Sequence, residues 1–314
     1  MDTPTDPLRE TQTALDSKKL NMRKIMAAVK YGEKNIEMGS AGDHVVVCWG
    51  PTGAGKSSSI LTLSGEKMLG YHNKGNPIMM NKDSIAFDIE HHQQLVEEQE
   101  VETKIFIQEK ATSGTKYPIV KTMETELGHE SVTLWDTAGF SDNTGHTQTL
   151  INAYFLNRIF TLQHKVKLVF CINYASLAAD LKGQYFKNDI MRLTEILKDF
   201  PSYNKSMALL VTKVAETADQ DDIRDLIKEN MEVIMSQDQG NSELRRFYRY
   251  VKSDSMNFMI LRRPKLEGKV SQGSPIDVTY QYKQFKEDFY HMVTSRLQPA
   301  DFPTITVPAG LSPE

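Results

Sequence analysis

Eight residues near position 50, Gly50, Pro51, Thr52, Gly53, Ala54, Gly55, Lys56 and Ser57, satisfy the pattern G-x-x-x-x-G-K-[ST] within "CWGPTGAGKSSS". The chemistry of that spacing is the gripping of a polyphosphate, which needs many donors in a small space. Glycines let the backbone adopt conformations that a Cβ would forbid, so successive N–H groups point at one anion at the positive end of the following helix. Lys56 is spaced to reach β- and γ-phosphates and Ser57 to ligate Mg2+ through Oγ, with Ser58 next on the helix. The competing reading, a glycine-rich turn beside a surface lysine, would not need a strand before it and a helix after it.

A second group lies downstream in "VTLWDTAGF". An aspartate at the end of a strand, Asp136, can hold a Mg2+ shell through water, while the backbone N–H of Gly139 faces the γ-phosphate. A loop tied to a terminal phosphate can sense its loss. By itself an Asp-Thr turn followed by glycine is common, so the weight comes from its position after an apolar strand and downstream of the phosphate loop.

These residues need a scaffold of strands ending at one edge. Val45–Cys48 reads as a buried strand leading into the loop, and Ser57 through Leu69 as a helix with Ile60, Leu61 and Leu63 inward. Five apolar runs, "HVVVC", "VTLW", "KLVFCI", "MALLV" and "NFMIL", suit a parallel sheet buried on both faces. Amphipathic helices lie between them, one carrying Phe186, Ile190, Leu193, Leu197 and Phe200, another Ile223, Leu226, Ile227, Met231 and Ile234. A further helix carries Leu150, Ile151, Tyr154, Phe155 and Ile159, and a last one Phe285, Phe289, Met292 and Val293. The expected fold is a three-layer α/β/α P-loop NTPase domain, Rossmann-like, with a mostly parallel central sheet, an antiparallel edge strand and accessory N- and C-terminal helices. Residues 1–40 read as an N-terminal helical extension with Met22, Ile25, Met26 and Val29 on its packing side. Residues 41–298 read as the nucleotide domain, and the proline-rich 299–314 as an extended or disordered tail.

The chain has 314 residues, 39% of them hydrophobic and 25% charged, with a net charge of −4. That charge offers no general attraction to nucleic acid or an anionic membrane surface. Both cysteines, Cys48 and Cys171, fall in apolar strand-like runs and read as core thiols rather than a disulfide or metal pair. No apolar stretch approaches the roughly 18 residues of a membrane span. The N-terminus carries no signal-peptide core, and a cytoplasmic location is expected. His91 and His92 sit in an acidic, glutamine-containing stretch without the spacing of a metal site.

Through "GPTGAGKS" and "DTAG" in that order, the chain resembles the P-loop GTPases. Within them it is most similar to the septin-like group that includes the immunity-associated and chloroplast-import GTPases, and to G-domain proteins that share an "SGT-x-x-P" element before the DxxG strand, here "SGTKYP" from Ser113 to Pro118. The resemblance covers about residues 43–264. It implies a G domain that binds GTP or GDP with Mg2+ and is often regulated by homodimer formation through the nucleotide face. It proposes Thr115 as the switch threonine closing over Mg2+ and the γ-phosphate, with Thr112 and Ser113 near enough to compete. Lys56, Thr115 and Gly139 are then the catalytic candidates, and Ser57, Thr115 and Asp136 the metal candidates. The stretch from about 70 to 110 exceeds what a minimal G domain uses and reads as an insertion at the switch loop.

Two departures accompany the resemblance. The family's base-recognition element, [NT]-K-x-D, appears here as "VTKVAET": Thr212 and Lys213 match, while Ala215 stands where the aspartate belongs. That aspartate accepts two hydrogen bonds from the guanine edge that adenine does not offer. Lys213 can still stack its stem over a base, and Glu216 can substitute if the loop shifts by one residue. After DTAG, where many such enzymes carry a water-orienting glutamine, this chain has Phe140, which neither donates nor accepts. Asp142, Asn143, Thr144 and His146 are the polar groups left in that loop. Three readings follow: a slow GTP-hydrolysing switch, a nucleotide-locked or nucleotide-free scaffold, and an ATP-using P-loop enzyme.

Overall fold

Val45, Val47 and Trp49 project to one side of strand β1 (His44–Trp49) and Val46 and Cys48 to the other, and all five are buried. A strand buried on both faces must be covered by two layers, and the computed structural model shows both. It describes residues 22–38, 43–73, 76–81, 115, 117–123, 130–140, 146–163, 165–178, 184–197, 200–238, 240–253, 255–266 and 275–302.

The main sheet has six strands in the order β4-β5-β1-β6-β7-β8. Here β4 is Ile119–Met123, β5 Val132–Asp136, β6 Val166–Asn173, β7 Met207–Val214 and β8 Phe258–Arg262. All five apolar runs of the sequence lie in it, mutually parallel, and β4 pairs antiparallel with β5 at one edge. In register, Val47 lies between Trp135 and Leu168. The fold is therefore three-layer α/β/α with a mostly parallel sheet and one antiparallel edge strand.

One face is covered by α1 (Met22–Met38), α3 (His146–Gln163), α5 (Gln184–Ile196), α6 (Gln220–Gln237) and α7 (Ser242–Lys252), which pack on Val45, Val47, Leu168, Phe170, Leu209 and Val211. The other is covered by α2 (Lys56–Leu63) and α8 (Lys283–His291), against Val46, Val169, Cys171 and Leu210. The short α4 (Tyr174–Ala178) follows β6. Cys48 and Cys171 are buried free thiols in this second layer.

Three features depart from the sequence reading. Helix α2 ends at Leu63 rather than Leu69, because Gly65 takes a positive φ of 79° and Met68 begins a strand. That strand, β2 (Met68–Asn73), pairs antiparallel with β3 (Asn76–Asn81) and with β9 (Ile276–Asp277) in a separate three-stranded sheet. The start of the expected insertion is thus a hairpin tied to the C-terminal part of the chain. Secondly, α1 does not pack through Met22 and Met26, which are 60% and 69% exposed. Among its described side chains the buried residues are Ala28, Gly32, Asn35 and Ile36. At Gly32 a Cβ would lie 2.0 Å from Phe155 Cζ, so the helix approaches α3 more closely than a larger residue permits. The Glu33 carboxylate, 2.7 Å from Arg158, fixes the same contact. Thirdly, the tail is anchored at its start: Ala300 pairs with Val166, and Phe302 stacks between Phe160 and Tyr203.

Candidate functional site

The site gathers at the carboxyl ends of β1, β5 and β7. After Trp49 the chain turns through Gly50 and Gly55, with φ of 151° and 79°. A Cβ would also stand 2.4 Å from the Cys171 carbonyl oxygen at Gly50 and 2.8 Å from Thr212 Oγ1 at Gly55. Both positions therefore need glycine for room as well as for conformation. Lys56, buried at the first turn of α2, donates from Nζ to the carbonyls of Gly50 (3.2 Å) and Pro51 (3.0 Å). It lies across the loop, at the N-terminal end of the helix.

Asp136 ends β5 fully buried. Its Oδ2 accepts from Ser57 Oγ at 2.7 Å and from Thr115 Oγ1 at 2.9 Å, and the two hydroxyls lie 3.2 Å apart. Among the described residues its buried Oδ1 has no hydrogen-bond partner. Burial pushes the Asp136 acid above its ordinary range, while Lys56 and the two hydroxyls pull it down. The structure thus brings all three sequence-expected metal ligands to one point. Two hydroxyls and a carboxylate with a spare oxygen are hard donors and fit Mg2+. Among the described residues no group of three His, Cys, Asp or Glu side chains forms a metal site.

Thr115 belongs to the SGTKYP element, whose next described residues connect it to α1: the Asn35 amide donates to the Pro118 carbonyl at 3.1 Å. The N-terminal helix therefore supports the segment that carries Thr115. Thr112 and Ser113 lie outside the described residues, as do Asp142, Asn143, Thr144, His91 and His92.

The DTAGF loop is held on both sides. Thr137 donates to the Cys48 carbonyl at 2.7 Å, and Asn152 of α3 donates to the Gly139 carbonyl at 3.3 Å. The Phe140 ring sits 4.9 Å from Trp49 and 6.2 Å from Phe170, centroid to centroid. It serves as packing at the position where a water-orienting side chain was absent from the sequence.

At the β7 end, Thr212 is buried and donates to the Ala54 carbonyl at 2.8 Å, tying the Thr-Lys element to the phosphate loop. Lys213 sits at a bulge with φ 58°. A lysine in that left-handed region is uncommon and marks a backbone held there by its surroundings. Arg262 donates to the Ala218 carbonyl (2.8 Å) and Arg263 to the Lys213 carbonyl (3.1 Å), so the segment from Lys213 to Ala218 is braced from the end of β8. The Glu216 carboxylate, the alternative acceptor if the loop shifts by one residue, lies 3.1 Å from Lys265.

One residue escaped the sequence reading. Asp189, on the buried face of α5 between Phe186 and Ile190, is 7% exposed, and burial raises its acid to about 7 against an opposing pull from Lys56. The available signal was an acidic residue inside an apolar helical stripe.

No protein-family model and no curated protein matches the chain. Among solved structures it is similar to Toc33 from Arabidopsis thaliana, a dimerization-deficient mutant, at 12% identity and a TM-score of 0.42, covering 90% of this chain and 97% of that one. It is also similar to two variants of SsGBP, each at 12% identity, with TM-scores of 0.38 and 0.37, covering 89% and 87% of this chain and 67% and 62% of those. The architecture stated above rests on the strand order and pairing of this chain.

Proposed function

We propose that the chain is a guanine-nucleotide-binding P-loop protein acting as a slow, Mg2+-dependent, GTP-hydrolysing switch. The observation that carries this reading is the convergence of Ser57, Thr115 and Asp136 beside Lys56, with one buried Asp136 oxygen left unpaired. In the proposed state Gly50 to Ser58 would wrap the phosphates, Lys56 would exchange its carbonyl partners for phosphate oxygens, and Ser57, Thr115 and Asp136 would hold Mg2+. The ion supplies neutralisation of charge on the β- and γ-phosphates. Thr115 and the Gly139 N–H would meet the γ-phosphate, and its loss would change the balance of contacts holding their segments. Hydrolysis is slow because Phe140 orients no water. A second copy meeting the nucleotide face would be one source of the missing group.

The guanine reading rests on the likeness of the Thr212-Lys213 element to the family's base-recognition element, with Lys213 stacking on the base. Ala215 keeps ATP as a competing ligand. The locked-scaffold reading is favoured by one observation, the aromatic contacts that hold Phe140 against Trp49 and Phe170.

Chromatography of nucleotide released by denaturing the purified protein, followed by GTP and ATP titration with and without EDTA, tests the proposal. GTP or GDP retained, with affinity lost on chelation, is the expected result. Recovery of adenine nucleotide alone overturns the guanine reading, and failure of both triphosphates to bind leaves the scaffold.

A further inference from the structure

Strand β8 pairs with β7 on one side only, and among the described residues no strand covers its other edge. In a strand, the backbone groups of alternate residues face the same neighbour. The Asn257 carbonyl accepts from Leu209, and the Arg263 N–H donates to the Val214 carbonyl, so the odd-numbered residues face β7. The backbone groups of Phe258, Ile260 and Arg262 consequently face outward. The Arg262 carbonyl accepts from the Tyr282 hydroxyl at 3.5 Å. This edge forms part of the wall of a groove of about 850 Å3, bounded by Tyr280 to Phe285 and the later turns of α8 on one side and Gln220 on the other. The groove runs along the sheet edge, and Glu216, Arg262 and Arg263 in its wall adjoin the Lys213–Ala218 segment.

Its charge runs against that of the whole molecule. Arg262, Arg263, Lys265 and Arg296 line it with Glu216 and Asp288, four cationic groups against two acidic ones in a chain of net charge −4; Arg262 and Arg263 keep their charge while donating to the Ala218 and Lys213 carbonyls, and Lys265 pairs with Glu216. Tyr280 is 75% exposed at the rim and offers a flat apolar contact. An outward row of backbone donors and acceptors binds an extended segment by strand addition, and the surrounding charge selects its side chains.

We infer that the β8 edge is a docking site for an extended acidic peptide segment of a partner protein, which adds a seventh strand beside Phe258–Arg262. The hydrogen bonds would come from the backbone of Phe258, Ile260 and Arg262, and the acidic side chains would meet Arg296 and the basic cluster at the end of β8.

The test uses the full chain and a labelled peptide of alternating glutamate and valine, with a lysine-valine peptide as control. The acidic peptide is expected to bind with salt-sensitive affinity and to slow amide exchange at Phe258, Ile260 and Arg262. Ile260→Pro removes an outward N–H that β7 does not use, and it should weaken binding about tenfold while GTP titration is unchanged. Arg296→Glu, on the exposed end of the groove, should weaken it comparably and serves if the proline variant fails to fold. Equal binding of the lysine peptide, or no protection at these amides, overturns the proposal. So does protection present without peptide that grows with protein concentration, which indicates a second copy. Protection that disappears on replacing Ile305 and Val307 by aspartate would instead assign the edge to the chain's own C-terminal segment, and would also overturn it.

Discussion

The backbone N–H of Thr52 donates to the carbonyl of Phe140 at 3.0 Å, joining the phosphate loop to the DTAGF loop through main chain. Pro51 and Phe140 form a parallel bridge at the same place, which continues the β1–β5 pairing past the ends of both strands. The contact needs close approach, since a Cβ at Gly139 would lie 2.5 Å from the Thr52 nitrogen. The two loops that would sense phosphate are therefore one mechanical unit, clamped by the Phe140 ring on Trp49 and Phe170. Phe140→Ala removes the clamp and should cost ~2 kcal/mol in denaturant unfolding, less than a fully buried phenylalanine because the ring is partly exposed. Phe140→Gln should lose a similar amount and raise GTP turnover, since it restores a group able to orient water. Turnover at the parental rate in a folded Gln variant would show that a water-orienting side chain is not what is missing.

Lys56→Ala should abolish nucleotide retention. Lys56 Nζ holds two loop carbonyls and is the cation that opposes the raised acid of Asp136. Equilibrium dialysis with labelled GTP reads the loss, and circular dichroism checks that β1 and α2 remain folded.

Asp189 gives a pH dependence whose sign can be worked out. Its folded acid lies at about 7, above the ordinary value of 3.8, so between those limits the native state binds more protons than the unfolded one. Stability attributable to this group is present at low pH and is lost as pH rises from about 4 to 7. Asp189→Asn removes the dependence. Thermal melts should show the variant more stable than the parent at pH 8, by an amount of order 3 kcal/mol, and little different near pH 4. Equal melting curves at pH 8 would mean that the carboxylate finds a partner there.

The phosphate loop and the sheet were legible because each is written locally. A loop that needs φ of 151° and 79° demands glycine at Gly50 and Gly55, and a strand buried on both faces demands an unbroken apolar run such as Val45–Cys48. The convergence of Thr115 on Asp136 was legible only through family resemblance, because 21 residues separate them and no local period links them. The face of α1 is legible only in part. Met22, Ile25, Met26 and Val29 form the better apolar stripe, and Ile25 packs on the core, yet Met22 and Met26 are exposed and the close contact is decided by how near Gly32 lets Phe155 approach. Strand β2 was read as the end of a helix because Met68 and Leu69 suit either element. Their partners Asn81, Met80 and Asp277 are tertiary choices.

Ala215→Asp should move the base preference towards guanine. The segment from Lys213 to Ala218 is braced by Arg262 and Arg263, and the turn closed by the Ala218 N–H on the Ala215 carbonyl holds position 215 in place. A carboxylate there can accept the guanine N1–H and N2–H, which adenine lacks. The ratio of GTP to ATP affinity should rise about tenfold or more. An unchanged ratio would mean that the base does not reach this segment.

Gly32→Val tests whether α1 is a working part of the site. A Cβ at Gly32 would lie 2.0 Å from Phe155 Cζ and 2.2 Å from Cε1, so the valine must push α1 off α3. Overpacking of this kind costs about 1–3 kcal/mol. Separation would also strain the Asn35 amide bond to the Pro118 carbonyl and, through it, the segment that brings Thr115 to Asp136. The expected outcome is a lower melting temperature together with weaker Mg2+-dependent GTP binding, while Met26→Ala, at a residue 69% exposed, changes neither. Destabilisation with Mg2+-dependent binding intact would confine α1 to a packing role.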